Sequence, residues 1–178
     1  MRKGPTPPPT TRMADRVRLA TAADAEDLAD VHVTTWQRAY RDVFPPEFLA
    51  GLDRHRRIQW WRRMIDDGGE VHVVGDQRVV GFCSAGRSED AGWGEIFSIY
   101  VHPDHWRSGY GGELLFAGEE KLRAAGFDRA LLWVLEGNDG ARRFYERHGW
   151  VVGRPFRVEE IGGVQVTEVR YEKYLSGE

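Results

Sequence analysis

The hydrophobic positions in the first third of this chain recur mainly with the period of an α-helix. After a short strand, Val17 to Ala20, apolar residues return every three or four positions as far as Ala39, and Thr21 stands where an N-cap is expected. A proline pair then interrupts the pattern. A short helix is predicted around Glu47 to Leu52, and Asp53 is the expected cap of another helix.

After these helices the period changes to that of β-strands. Val71 to Val74 and Val79 to Ala85 flank a polar tetrapeptide, which is typical of a β-hairpin. Arg129 to Leu135 is an apolar run that needs burial on both faces, so it predicts a central strand. Helical spacing returns at residues 109–125 and again after Asn138. The remaining strands are predicted at Trp93 to Val101, Trp150 to Val158 and Val164 to Tyr174, and the element order is β-α-α-β-β-β-α-β-α-β-β.

Composition and charge narrow the possible functions. The chain has 178 residues, of which 30% are charged and 41% hydrophobic, as in ordinary soluble globular proteins. A net charge of −3 gives no electrostatic reason to expect nucleic acid, and no apolar run approaches the roughly 20 residues that a membrane helix needs. With one cysteine and no apolar signal region, we expect a cytoplasmic protein. We expect the proline-rich residues 1–15 to be disordered and residues 16–175 to form a single domain.

The stretch from Ile96 to Leu115 has the pattern of a strand, a proline-containing turn and the start of a helix. The first N–H groups of a helix have no partners within it and the positive end of its dipole lies there, so such a site suits phosphate oxygens. Gly109, Gly111 and Gly112 leave the backbone open to a bulky anion. Arg107 adds a cation beside them. The alternative is that these glycines only form a tight strand-to-helix turn.

Two motifs resemble those of the GNAT superfamily of N-acyltransferases. The first, V-x-P-x-x-W-R-x-G-Y-G from Val101 to Gly111, is similar to the loop that binds the acyl-CoA pyrophosphate, with Trp106 where Gln or Arg is usual. The second, from Asn138 to Trp150, resembles the pattern N-x-x-A-x-x-[FL]-Y-x-x-x-G-[FW] at every fixed position. The resemblance covers about residues 17–174. It implies the mixed α/β GNAT fold, in which a central, mostly antiparallel sheet of six to seven strands is flanked by helices on both faces.

This resemblance implies an N-acetyltransferase that uses acetyl-CoA as its cosubstrate and needs no metal. The acceptor amine would attack the thioester directly in a ternary complex, and Tyr145 would give a proton to the departing thiolate. The position of Tyr145 is also typical of a core aromatic residue, and Asn138 also fits a helix cap. The implied cofactor-binding residues are Ile99, Tyr100, Val101, Arg107, Ser108, Gly109, Tyr110, Gly111, Gly112, Asn138 and Tyr145.

Glu95 is the candidate base that takes a proton from the acceptor amine. It interrupts an otherwise apolar strand, and partial burial raises the pKa of a carboxyl group and makes it a better base. The alternative is an exposed strand residue. Glu95 precedes Ile99 by four positions, so the two side chains share one face of the strand unless a bulge intervenes. The resemblance implies a bulge in this strand, which could place them on opposite faces.

The acceptor pocket is expected between residues 36 and 64. Its substrate-binding candidates are Trp36, Tyr40 and Glu95, and Phe44 and Phe48 extend the same aromatic group, which equally fits a core. A polyamine, an aminoglycoside, an amino acid and a protein amine all remain compatible with the sequence. A monomer and a homodimer are both compatible as well.

Four other interpretations carry less support. His102 and His105 flank Asp104, but no third group with a familiar ligand spacing accompanies them, so no metal is expected. Cys83 is expected to be a small buried residue rather than a nucleophile. A non-catalytic acyl-CoA-binding module would keep the glycine loop and lack the acid and the base. A dinucleotide-binding oxidoreductase is disfavoured, because Leu114 stands where the third glycine of G-x-G-x-x-G belongs.

Overall fold

The computed structural model describes residues 16–175, so the predicted disorder of residues 1–15 lies outside the described residues. Within residues 16–175, no helix combines the length and the apolar content needed to cross a membrane. The helices are α1 (Ala25–Ala39), α2 (Pro46–Ala50), α3 (Arg54–Asp66), α4 (Tyr110–Ala124) and α5 (Asp139–Arg147). The strands are β1 (Val17–Leu19), β2 (Val71–Val74), β3 (Gly81–Arg87), β4 (Gly94–Val101), β5 (Arg129–Leu135), β6 (Val151–Ile161) and β7 (Val164–Tyr174).

The seven strands of the described chain form one sheet with the order β1-β2-β3-β4-β5-β7-β6. Neighbouring strands are antiparallel except β4 and β5, which run parallel. Strand β5 lies inside the sheet and five of its seven residues are buried, as its apolar run predicted. The mixed, mostly antiparallel sheet confirms the predicted fold class.

Helices cover the two faces of the sheet, and each face has its own core. Helices α1 and α3 pack on one face, called the α1 face below, where Trp61 meets Phe82 of β3 with ring centroids 4.8 Å apart. Helices α4 and α5 pack on the opposite face, the α4 face, where Leu114 and Tyr145 join a core with Leu132 of β5. Burial of one such side chain contributes about 2 kcal/mol, so each core holds its helices firmly against the sheet.

The predicted elements are present, with small shifts at their ends. Strand β3 begins at Gly81 rather than Val79, because the N–H of Val79 donates to the carboxylate of Asp27 at 2.9 Å instead of entering the ladder. Helix α2 begins with Pro46, and proline is well suited to the first turn of a helix. With α2 included, three α-helices lie between β1 and β2, whereas the predicted element order had two. Strand β6 extends to Ile161 and so reaches the predicted turn directly.

Candidate active site

Strands β4 and β5 separate after two residue pairs. The parallel pairing joins Gly94 to Ala130 and Glu95 to Leu131, although β4 itself continues to Val101. Beyond the second pair a cavity of about 970 Å³ opens between the two strands. Its lining residues come from α1 on one face of the sheet and from α5 on the other, so the gap connects the two faces.

Two backbone N–H groups of β4 point into this gap. The N–H of His102 donates to the carbonyl of Val80 at 2.8 Å, and bonded pairs alternate with non-bonded pairs along an antiparallel ladder. The backbone of Tyr100 therefore pairs with β3, whereas the backbones of Ile99 and Val101 face the gap. Since the ladder with β5 has already ended, the N–H groups of Ile99 and Val101 have no partner on that strand.

Trp106 closes the end of β4. Its indole N–H donates to the carbonyl of Val101 at 2.7 Å, and the hydroxyl of Thr35 on α1 donates to the same carbonyl at 3.1 Å. The indole therefore ties the loop to the strand, and its N–H is already used. Trp106 therefore has a structural role at a position where the GNAT motif usually carries Gln or Arg.

The loop before α4 has the backbone shape of an anion site. Arg107 and Gly109 have φ angles of 65° and 89°, both in the left-handed region, and Gly109 is the N-cap of α4. Strain at a residue such as Arg107 costs about 1–3 kcal/mol and is typical of ligand sites. Arg107, Ser108 and Gly109 are exposed, and the N–H groups of Tyr110 and Gly111 have no partner within the helix. The loop thus offers backbone donors and one guanidinium to an anion.

Gly111 and Gly112 allow α4 and α5 to pack closely. A Cβ atom on Gly111 would lie 3.3 Å from the ring of Phe144, and one on Gly112 would lie 3.2 Å from Nε2 of His148. Both distances are tighter than ordinary van der Waals contact, so a side chain at either position would push α5 away. Of the predicted glycines, Gly109 shapes the loop, and the other two place α5 beside the cavity.

Helix α5 brings Asn138 and Tyr145 to the cavity. Asn138 caps the helix, because its Oδ1 accepts the N–H of Ala141 at 3.1 Å, and its amide nitrogen is not needed for that bond. Tyr145 is 9% exposed and packs its ring against Phe144 and Trp150. Burial raises the pKa of the Tyr145 hydroxyl, so the group remains a proton donor at neutral pH. Tyr145 is therefore both a core residue and a residue of the cavity wall.

A β-bulge decides the face of β4 on which Glu95 lies. The register between β3 and β4 shifts between Ser84 and Ala85, which makes Phe97 an extra residue on β4. The shared face expected for Glu95 and Ile99 without a bulge does not occur. Glu95 lies on the α1 face of the gap, opposite the face that α5 covers.

Glu95 is a half-buried carboxylate, and its environment matches the expectation of a raised pKa. Burial is the main cause of that rise, and the negative charges of Asp90 and Glu89 add to it. A hydrogen bond from Ser88, 2.8 Å from Oε2, and the positive charge of Arg157 lower the pKa in part. The raised pKa makes the Glu95 carboxylate a better proton acceptor than an exposed glutamate.

The aromatic residues of α1 serve the cavity and the core together. Trp36 and Tyr40 line the cavity, and their rings also pack against Phe44, with centroids 5.8 and 5.9 Å away respectively. Phe44 is 3% exposed, and neither it nor Phe48 lines the cavity. Trp36 and Tyr40 thus form a wall, while Phe44 belongs to the core behind it.

Three lining residues on the α1 face were not predicted from the sequence. The guanidinium of Arg157 on β6 lies 4.4 Å from the ring centre of Trp133 on β5, and its Nε donates to Glu168 of β7 at 2.6 Å. Each of these residues follows the ordinary alternation of side chains in its own strand. They come together only because β5, β6 and β7 pair with one another, so no short sequence pattern identifies them.

The other reactive side chains considered in the sequence are Cys83, His102 and His105, and His105 lines the cavity. Cys83 is fully buried, and burial raises the pKa of its thiol to about 12, which confirms it as a core residue. His102 and His105 have ring centroids 6.1 Å apart. Among residues 16–175, no group of three or more His, Cys, Asp or Glu side chains is placed to hold a metal ion.

Comparison with known proteins identifies the family. The family model described as "Acetyltransferase (GNAT) family" matches residues 33–150, more than half of the chain. The chain belongs to the GNAT acetyltransferase family. YuaI of Bacillus subtilis (strain 168), named an uncharacterized N-acetyltransferase, is 35% identical to this GNAT protein over 162 residues, which are 86% of this chain and 89% of YuaI.

Solved structures of other acetyltransferases share the fold of this GNAT protein. A ribosomal-protein-alanine N-acetyltransferase from Brucella melitensis superposes with a TM-score of 0.70 at 22% identity, over 89% of this chain and 98% of that chain. A GNAT superfamily phosphinothricin acetyltransferase from Sinorhizobium meliloti, solved in complex with AcCoA, has a TM-score of 0.66 at 17% identity, over 89% and 86% of the two chains. At such identities the likeness concerns the fold.

Proposed function

We propose that this GNAT protein transfers an acetyl group from acetyl-CoA to a primary amine by direct attack of the amine in a ternary complex. The observation that carries the proposal is the gap between β4 and β5, because it connects the two faces of the sheet. Tyr145 borders the gap from the α4 face and Glu95 from the α1 face. A thioester held in the gap has a proton donor on one side and a proton acceptor on the other.

The α4 face fits the coenzyme. The loop before α4 offers its N–H groups to the pyrophosphate. The N–H groups of Ile99 and Val101 can donate to the pantetheine amides and to the thioester oxygen, and Asn138 lines the same cavity. The Sinorhizobium meliloti protein of the same fold was solved with AcCoA, which supports this assignment.

The α1 face fits the acceptor. A primary amine is protonated at pH 7 and must lose a proton before its nitrogen attacks the thioester carbon. Glu95 accepts that proton directly or through one water. The oxyanion that forms is stabilised by N–H groups of β4, and when the carbon–sulfur bond breaks, Tyr145 gives its hydroxyl proton to the thiolate. The second proton of the acceptor nitrogen returns through water to the Tyr145 oxygen, and Glu95 releases the first proton to solvent, so both side chains regain their starting state.

Binding and turnover are tested separately. Titration calorimetry with acetyl-CoA is expected to show binding, and an assay of CoA thiol release over a panel of primary amines is expected to show turnover with at least one. Binding without turnover for every amine would favour a non-catalytic acyl-CoA-binding module. A well-folded protein that does not bind acetyl-CoA would overturn the proposal.

Replacing the base tests the chemistry. Glu95→Gln keeps the size of the side chain but cannot take the proton, so kcat/KM near pH 7 is expected to fall by about 10²–10⁴-fold. The loss should shrink as the pH rises, because more of the amine is then already neutral. Glu160→Gln is the control, since Glu160 is an exposed carboxylate of β6 that does not line the cavity. A Glu95→Gln profile with the shape and height of the wild-type profile would assign the base role to another group.

A further inference from the structure

The turn between β3 and β4 holds a hydroxyl group against Glu95. Ser88 is 8% exposed and donates from Oγ to Oε2 of Glu95 at 2.8 Å. The same Oγ accepts the N–H of Asp90 at 3.2 Å, and the N–H of Ser88 donates to the carbonyl of Trp93 at 3.0 Å. Ser88 is therefore fixed at its backbone and at its side chain.

These contacts give the hydrogen bond between Ser88 and Glu95 a single direction. A serine hydroxyl carries one hydrogen and two lone pairs. The N–H of Asp90 occupies a lone pair of Oγ, and an ionised carboxylate can only accept, so the hydrogen of Ser88 goes to Glu95. Among residues 16–175, none donates to the other carboxylate oxygen, Oε1, which is left for a ligand.

Strands β5 and β7 anchor the turn that carries Ser88. The guanidinium of Arg170 on β7 is buried, forms an ion pair with the carboxylate of Asp90, and lies 4.6 Å from the ring centre of Trp93. The guanidinium of Arg129 on β5 also lies 4.6 Å from the centre of that ring. The turn is thus tied to the strands on the far side of the gap, and Ser88 cannot move independently of them.

We propose that Ser88 is a positioning residue for Glu95. Its hydroxyl holds Oε2 in place and leaves Oε1 to the acceptor amine or to one bridging water on the α1 face of the gap. The proposal rests on the role of Glu95 as the base. It adds that the geometry of the base is set by the turn between β3 and β4, which itself lies outside the lining of the cavity.

The same hydrogen bond affects the pH at which Glu95 ionises. Burial raises the pKa of Glu95, and the hydrogen bond from Ser88 opposes that rise because it favours the charged form. Among the other charged groups around Glu95, Arg157 of β6 lowers the pKa, and Asp90 and Glu89 of the turn raise it. The residues paired with Glu95 on β3 and β5 are uncharged. Loss of the Ser88 hydroxyl should therefore move the pKa upward.

Ser88→Ala tests the proposal with two readouts. In the first, the carboxyl carbon of Glu95 is titrated by NMR in the free protein and assigned with Glu95→Gln, and its pKa is expected to rise by about one unit. In the second, the acid limb of the kcat/KM profile is expected to move to higher pH by the same amount. Ser88→Thr keeps the hydroxyl and should return both values toward those of the wild type.

Two further variants make the outcome unambiguous. Ser88→Cys keeps the size but is only a weak donor, so it should reproduce the shift if Ser88→Ala does not fold. Ser84→Ala is the control, because it removes another serine hydrogen bond between β3 and β4. The Oγ atoms of Ser84 and Ser98 are 2.7 Å apart, and loss of this hydrogen bond should leave the pKa of Glu95 unchanged. An unmoved Glu95 titration in Ser88→Ala or Ser88→Cys overturns the proposal. A titration that moves while the acid limb stays confirms the contact and rejects Glu95 as the base.

Discussion

Tyr145 lines the cavity and is 9% exposed. Tyr145→Phe is expected to lower kcat by about 10²–10⁴-fold, because the thiolate then leaves without a proton from the protein. Acetyl-CoA binding should change little, since Phe keeps the ring contacts with Phe144 and Trp150. Steady-state kinetics and titration calorimetry measure the two effects.

Tyr171 provides the matched control for this variant. It is fully buried on the same face, its hydroxyl donates to Glu146 at 2.7 Å, and it does not line the cavity. Tyr171→Phe should therefore lower the free energy of unfolding by about 1 kcal/mol and leave kcat unchanged. If Tyr145→Phe behaves in the same way while the chemical step is rate-limiting, Tyr145 is a core residue only.

Some residues of the site could be predicted singly, and others could not. Glu95 was recognisable as a carboxylate in an apolar strand, and Tyr145 was recognisable from its motif. Ser88 and Arg157 carry no such signal, because they meet Glu95 only through a turn and through the pairing of distant strands. The bulge at Phe97, which decides the face of Glu95, depends on the register with β3 and not on any local pattern.

At the scale of elements, the start of α4 combines the proposed anion site with a left-handed backbone at Gly109. Gly109 has a φ of 89°, and a Cβ atom there would meet no atom within 4 Å. Gly109→Ala is expected to lower the free energy of unfolding by about 1 kcal/mol, because a side chain disfavours the left-handed conformation. It should also weaken acetyl-CoA binding several-fold, because the methyl group enters the space where the phosphate approaches the backbone. Thermal unfolding and calorimetry check the two parts.

Gly126 allows the two effects to be separated. It follows the end of the same helix with a φ of 86°, and a Cβ atom there would also meet nothing within 4 Å. Gly126→Ala should therefore show a similar loss of stability with unchanged acetyl-CoA binding, since Gly126 does not line the cavity. Equal effects of both variants on binding would mean that the loop acts only through the stability of α4.

Elements were more predictable than their arrangement. The limits of α4 and β5 could be predicted to within one residue, because each has a strong period and turn residues at its ends. No pattern in the residues themselves predicts the separation of β4 from β5. Strand β4 keeps the pattern of a strand as far as Val101, since its pairing with β3 continues there after the pairing with β5 has stopped.

Across the whole molecule, the sheet separates the proposed coenzyme side from the acceptor side. On the proposed acceptor side, His32 of α1 lies among aromatic rings. Its ring centroid is 5.3 Å from that of Tyr100 and 6.1 Å from those of Trp36 and Trp61. Its Nδ1 is buried without a hydrogen-bond partner among the described residues. Tyr100 and Trp36 line the cavity and pack against His32, so a charge on His32 would destabilise the core directly behind the cavity wall.

Burial lowers the pKa of His32 from 6.5 to about 3, and the positive charge of Arg57 adds to this effect. The folded-state pKa lies below the unfolded value, so protonation favours the unfolded chain. The stability that neutral His32 contributes is complete above about pH 6.5 and is lost as the pH falls toward 3, by up to about 1.4 kcal/mol per pH unit. His32→Leu, which cannot be protonated, should remove this part of the acid sensitivity.

Urea unfolding of the wild type and His32→Leu at pH 8 and pH 4.5 measures the effect. At pH 8 the two free energies of unfolding should be similar, because Leu fills an apolar site in which Nδ1 has no partner to lose. At pH 4.5 the variant should be more stable than the wild type by about 3 kcal/mol. His55→Leu removes an exposed histidine of α3 and should not produce this gain. If the free energies of unfolding of the wild type and His32→Leu differ by the same amount at both pH values, protonation of His32 does not destabilise the protein in acid.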